Sequence, residues 1–310
     1  MDIRDKQKIT NSVVTFRVLF LGALAEIVRD PIEDLAMVVS SDTETEEHGW
    51  LGTVPGFTEW LGDRKLGTLR AEGMRLKNRD WSNGIRVHRN TIVDDKLGMV
   101  RPQIQMLAIK AREHRPQYMV EVLANGFDGA NPKVGTGLSY DGAFLFSDDH
   151  KDGDGERQSN LGNDPLAHSS YSAARVAMQT LVDEYGRPLN IRPSHLLVGP
   201  ELEDMGREIL ESDYRIVGGT ATRNIYRGTA QLLVSPRLVG PWRKYWFLLD
   251  LTKPVRPLIL QMRQEIQFNA LDDMQTEAAF MRKEHRYGAD ARYVIGSGLW
   301  QLVYGSKGGA

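Results

Sequence analysis

Residues 148–160 read DDHKDGDGERQSN, and Asp148, His150 and Asp152, followed by Gly153 in sixth place, form the opening of a calcium-binding loop. Such a loop closes its coordination sphere with a bidentate glutamate in twelfth place, and here that place holds Ser159. The stretch therefore reads as a solvated surface loop, with Asp148, Asp149 and His150 fixing it against the core beside Phe144 and Phe146. Two glycine-rich segments fail in a similar way. GTGLSYDG at 135–142 puts Tyr140 where a dinucleotide fingerprint needs its third glycine, GSGLWQ at 296–301 lacks it too, and neither sits between a strand and a helix. No G-x-S-x-G elbow and no H-E-x-x-H pair occurs, and EHR at 113–115 and 284–286 reads as solvated charge. Trp300 and Tyr304 read as one packed strand face and not as a base-stacking platform. With no cysteine in the chain, thiolate nucleophiles, disulfides and cysteine-held zinc are excluded. Nowhere do a nucleophile, a base and a charge stabiliser come together, so the sequence predicts a protein that is not an enzyme and holds neither metal nor cofactor.

What remains is the chemistry of contact. The stretch RAEGMRLKNRDWSNGIRVHRNTIVDD at 70–95 sets Arg75, Lys77 and Arg79 on one face, and alternates Arg86, His88 and Asn90 with Ile85, Val87 and Arg89. Asn83-Gly84 is a strong signal for a tight primed turn, because both central residues of that turn need positive φ. The expectation is a hairpin, with strands from Met74 to Trp81 and from Ile85 to Val93. Neither face is apolar, and a two-stranded ribbon alone is marginal in water. The ribbon therefore has to lie against something.

The chain has 310 residues, 41% hydrophobic and 26% charged, enough for two compact units. A net charge of -2 argues against a dedicated DNA-binding protein. The apolar run Val18 to Ile27 falls short of the roughly 20 residues that span a bilayer, and the polar first ten residues do not form a signal peptide, so no membrane role and a cytoplasmic setting are expected. Helical spacing of Phe16, Phe20, Leu24 and Ile27 predicts a helix over 12–28, capped at Asn11 or Ser12. Residues 36–62 are irregular and aromatic, with Trp50, Phe57 and Trp60 among glycines. Val100, Ile104, Leu107, Ala108 and Ala111 form the stripe of a long amphipathic helix, which Pro116 should break or kink before a second stretch ends at Asn125-Gly126. A helix over 169–184 is expected to pack through Ala173, Val176, Ala177 and Leu181. HLLVGPELE at 195–203 reads as a buried strand and a following helix, and TAQLLVSPRL, KYWFLLDL, PLILQMRQEIQFNA and ARYVIGSGLWQLVYG read as strands. The class is α+β.

These segments resemble, over nearly the full length, the major head subunit of Mu-like phages and prophages. The matching motifs are WLGTVPGFTEWLGDRKLG at 50–67, RNTIVDDKLG at 89–98, ANG at 124–126, SYDGAFLFSDDH at 139–150, QSNLG at 158–162, HLLVGPELE at 195–203 and the closing YGADARYVIGSGLWQLVYGSKG. The resemblance implies a Hong Kong 97-type capsid fold: an N-terminal arm over 1–49, an extended loop over 50–93, a peripheral domain over 94–127 and 256–310 with a spine helix, and an axial domain over 128–255. It also implies self-assembly into hexamers and pentamers of an icosahedral shell around double-stranded DNA, without sequence-specific binding. A portal, a maturation protease and, because the arm helix starts close to Met1, a separate scaffolding protein are implied as partners. The implied location is the virion, with the host cytoplasm during assembly. On this reading the polar ribbon clamps a neighbouring subunit, through Arg75, Lys77, Arg79, Trp81, Arg86 and Arg89, together with the aromatic Trp50 and Trp60. No residue matches the lysine–asparagine cross-link of one branch of the fold, so assembly is expected to be noncovalent. A nanocompartment shell around an enzyme cargo is the alternative with the same fold.

Overall fold

A computed structural model describes residues 3–49, 73–93, 97–131, 137–151, 153, 155–271 and 281–309, with backbone alone for 3–13, 93 and 97. Along the chain run α1 (Ile3–Glu26), β1 (Ala36–Ser40), β2 (Thr45–His48), β3 (Met74–Lys77), β4 (Arg79–His88), α2 (Arg89–Val93) and α3 (Leu97–Asn125). Then follow β5 (Leu161–Gly162), α4 (His168–Gln179), β6 (His195–Val198), α5 (Glu203–Leu210), β7 (Tyr214–Val217), β8 (Thr220–Arg223) and β9 (Gln231–Val234). β10 (Trp246–Leu249), β11 (Leu258–Leu271), β12 (Glu284–Ser297) and β13 (Val303–Ser306) complete the described order.

Two sheets carry the architecture. The first has the order β1-β11-β12-β4 and is built on the long antiparallel pair β11 and β12, which runs from Leu258 opposite Ser297 to Leu271 opposite Arg286 with register shifts between Met262 and Gln264 and between Gln264 and Gln267. β1 runs parallel to the start of β11, and β4 runs antiparallel to the start of β12. In β11 the first four residues are buried on both faces and the rest alternate, so the strand passes from the interior of the molecule to a half-covered sheet. The second sheet has the order β5-β13-β10-β6-β9, and its central strands HLLV and WFLL are almost wholly buried.

α3 ties the two together. Its first half buries Val100, Ile104, Leu107 and Ala108 in one cluster with Phe16 and Phe20 of α1 and with Val87 and Tyr287 of the first sheet. The second half puts Tyr118, Met119, Val122 and Leu123 into the larger cluster that also holds both sheets' apolar strands. The stripe is as the sequence predicts, but the helix is assigned without interruption through Pro116. An interior proline costs about 3 kcal/mol, and anchoring by buried side chains on both sides of it outweighs that loss. The end at Asn125 falls where expected, and Gly126 is required there because a Cβ would stand 2.9 Å from the Leu145 Cβ.

Three further expectations are corrected. α1 begins at Ile3, so Asn11 and Ser12 lie inside the helix and do not cap it. α4 turns a different face inward: Tyr171, Ala174 and Met178 are buried, and Ala173 and Val176 are exposed, because the large Tyr171 and Met178 set the packing stripe. The closing strand β13 belongs to the second sheet, between β5 and β10, so 256–310 is divided between the two sheets. At the end of β6, Gly199 leaves no room for a side chain, since a Cβ would run into the Leu238 carbonyl oxygen. Gly199→Ala is expected to lower stability by about 2 kcal/mol, as overpacking against fixed backbone does, and chemical denaturation of the purified subunit measures it.

Candidate subunit-contact surface

The predicted hairpin is absent. β4 runs straight through Asn83 and Gly84, which lie opposite Ala289 and Gly288 of β12. Neither residue takes the positive φ that a primed turn needs. The glycines answer to close approach of two backbones instead: a Cβ on Gly84 would sit 3.1 Å from the Tyr287 carbonyl oxygen, and one on Gly288 would sit 2.8 Å from that of Asn83. A ladder along ten residues of β4 outweighs a local turn preference. The sequence signal that was available is the second mid-strand glycine, Gly288.

This change moves the candidate residues onto two different elements. Trp81 is an anchor within its own chain: its indole N–H donates to the Tyr293 carbonyl at 2.9 Å, and its ring lies 4.3 Å from that of His114 and 5.0 Å from that of Tyr118. Burial holds His114 below the usual imidazole range, and its Nδ1 is hydrogen-bonded to the Tyr293 hydroxyl, 2.6 Å away. The same burial pushes the Tyr293 hydroxyl well above the usual phenol range, and it remains a donor.

Arg75 and Lys77 stand on β3, whose partner is β2, with Thr45 opposite Lys77 and His48 opposite Met74. Both are exposed and pair across the ribbon, Arg75 with Glu47 at 3.5 Å and Lys77 with Glu44 at 2.9 Å. β2 and β3 are therefore the two-stranded ribbon of the region, from which the chain departs after His48 and to which it returns at Met74. Trp50 and Trp60 lie outside the described residues. Arg79 begins β4 opposite Tyr293, and Arg89 follows it in α2, with its backbone N–H donating to the Lys283 carbonyl.

Arg86 has the most unusual place. It lies directly opposite Arg286 across β4 and β12, both side chains are exposed, and neither forms an ion pair among the described residues. Like charges opposite one another in an antiparallel pair repel. Arg86→Thr is accordingly expected to stabilise the isolated subunit by about 0.5 kcal/mol, read as a small rise in Tm.

Two exposed apolar surfaces were not foreseen. Val14, Val18 and Leu21 line the side of α1 away from the buried Phe16 and Phe20, and Tyr214, Ile216 and Val217 stand out on the β7–β8 hairpin. Helical spacing alone shows the first, because α1 is apolar on two opposite sides; the second carried no sequence signal. The metal-like stretch contributes a structural pin: His150 is buried, with Nδ1 2.6 Å from the Asp141 carboxylate, Nε2 3.2 Å from the Leu145 carbonyl and its ring stacked on Trp300. Among the described residues no three metal-ligating side chains converge, and no helix is long and apolar enough to cross a membrane.

This α+β molecule of two sheets crossed by one long helix, with a polar ribbon and exposed apolar faces, has the Hong Kong 97-type fold of phage capsid proteins. The solved procapsid of bacteriophage JBD30 has this fold: it is similar with a TM-score of 0.56 and 25% identity, over 96% of this chain and 74% of that one. The chain belongs to the family described as Mu-like prophage major head subunit gpT, which it matches over residues 9–164, 160–238 and 239–309. Among curated relatives, the Mu-like prophage FluMu major head subunit of Haemophilus influenzae is 26% identical over 278 residues, covering 89% of this chain. The chain spans 65% of the length of that relative. The major capsid protein of Escherichia phage Mu is 23% identical over 296 residues, covering 96% of this chain and 72% of the other.

Proposed function

We propose that the chain is the shell subunit of a Mu-like phage or prophage head, which assembles noncovalently into hexamers and pentamers of an icosahedral capsid around double-stranded DNA. The family match along residues 9–309 carries this reading. The work of the protein is association and not catalysis, with no cofactor, and its place is the virion after assembly in the host cytoplasm. A separate scaffold, a portal and a maturation protease are the proposed partners. The proposed division shortens the N-terminal arm to residue 35, before β1 enters the first sheet, and keeps a peripheral unit on that sheet with α3 as its spine and an axial unit on the second sheet. It moves the extended loop to residues 49–73, between the two strands of the β2–β3 ribbon. Intersubunit contact then falls to that segment, with Trp50 and Trp60, to the exposed cations Arg75, Lys77 and Arg86, and to the half-buried Arg79 and Arg89. Trp81 supports the surface from beneath.

Expression of the chain and imaging of the purified product test the reading. Closed shells that protect DNA from nuclease in the phage setting are expected; a permanently monomeric product, or shells that hold a protein cargo, would overturn it. With a net charge of -2, the free subunit is expected to bind a short duplex more weakly than about 1 μM at physiological salt, in the range of nonspecific phosphate contacts, as a titration would show.

A further inference from the structure

The β2–β3 ribbon is short, and among the described residues its strands pair only with each other. A ribbon of this size does not hold its own orientation in water. Leu76 and Met74 pack it against Gly296 of β12, and beside them a chain of buried polar side chains joins it to the first sheet, starting inside the apolar run of β11. There Gln261 follows Leu258, Ile259 and Leu260 and is fully buried. A buried amide is costly unless its hydrogen bonds are made, and these are. His48 Nε2 donates to Gln261 Oε1 at 2.9 Å, and Gln261 Nε2 donates to the Leu76 carbonyl at 3.2 Å and to Asn78 Oδ1 at 2.9 Å. Asn78 Nδ2 passes the network on to Ser41 Oγ and the Thr43 carbonyl, both at 2.8 Å.

Glu46 closes the outer end. Its carboxylate accepts the backbone N–H groups of Thr43 at 3.0 Å and Asp42 at 2.9 Å and the Ser41 hydroxyl at 3.0 Å. These hydrogen bonds hold its carboxyl at about 2, so the cap stays charged while ordinary carboxylates protonate. His48 ends β2 on the ribbon's outgoing side, Leu76 lies in β3 on the returning side, and Asn78 follows β3 directly. One glutamine of the main sheet thus holds both sides of the ribbon at once. A satisfied buried network of this kind specifies a single arrangement more than it adds stability.

We propose that Gln261, with His48 and Asn78, is a positioning residue that sets the direction in which the chain between His48 and Gly73 leaves the subunit. This rests on the reading of that segment as the intersubunit loop. Because the chain has no cysteine, spin labels can be placed at Glu47→Cys on β2 and Gln179→Cys at the end of α4 without further change. The parent should give one narrow distance distribution. In Gln261→Met, which keeps the side-chain volume and removes the amide, that distribution should broaden, and the yield of closed shells should fall about tenfold, the effect of roughly one buried hydrogen bond lost per contact. Far-UV circular dichroism should not change. A Gln261→Met subunit that keeps the narrow distribution, or closes shells as well as the parent, would overturn the assignment. Asn78→Ala provides the second variant, with the same expectation; if both fail to fold, the network is core and the assignment is wrong. Replacing 50–72 by a linker separates the two ideas, since shells that close without that segment would sink the loop reading whatever Gln261 does.

Discussion

A subunit in which residues 50–72 are replaced by a short Gly-Ser linker is expected to fold and to remain unassembled. Among the described residues one hydrophobic cluster is built from α1, α2, α3, β4 and β12, and the other chiefly from α3 and the strands of both sheets, so each has a large body outside that segment. The linker would join His48 to Gly73 across strands that are already paired, and closing a shorter loop of this kind changes the free energy by only about 1 kcal/mol. A shell depends on many weak contacts made at once, and removal of one class of them at every subunit acts on the whole lattice. Thermal melting should therefore stay close to the parent, and sedimentation should show free subunits or small rings. Closed shells from this variant would place the lattice contacts elsewhere, with the exposed stripe of α1 as the next surface to test.

The opposite result is expected one strand further on. Replacing 74–88 by a similar linker should leave an insoluble or unfolded chain, because β4 covers β12 along ten residues and contributes Val87 to one cluster and Trp81 to the border of the other. Trp81→Ala alone should cost about 3 kcal/mol, the usual loss for a large aromatic that leaves a cavity. It removes ring contacts to His114 and Tyr118 and the hydrogen bond to the Tyr293 carbonyl. Urea unfolding would measure this, and a change below about 1 kcal/mol, as at an ordinary surface site, would mean that the ring is held elsewhere. Read together, the two replacements locate the boundary between the part of the chain that makes the subunit and the part that joins subunits.

Periodicity revealed the elements whose partners lie on one face nearby. The stripe from Val100 to Ala108, the buried runs HLLV and WFLL and the alternation in most of β11 stand as read, because burial writes itself directly into spacing. The alternation read over 291–305 does not, since 293–297 are buried throughout and a 3-10 turn at Trp300–Leu302 separates β12 from β13. What failed depends on residues far away in sequence. Asn83-Gly84 favours a turn locally, and only the pairing with Ala289 and Gly288, some two hundred positions later, makes it a strand. The candidate contact residues were legible as an excess of cations and rings, but neither the internal anchoring of Trp81 nor the split into two groups on separate elements was, since nothing local distinguishes Lys77, paired with Glu44, from Arg86, faced by Arg286.

The position of β13 bears on the order of events during synthesis. It lies between β5 and β10, so Gly305 must pair with Leu161, and Val303 with Leu249, before the second sheet is continuous. Every other strand of that sheet has left the ribosome by then, and contacts over such separations form slowly. The nascent chain can complete the cluster between α1 and α3 only after β12 supplies Tyr287 and Ala289, and the second sheet waits longer still. Translation itself therefore acts as a delay: the second sheet becomes continuous only when residues 303–306 emerge, and a product truncated before them lacks the strand that unites β5 with β10.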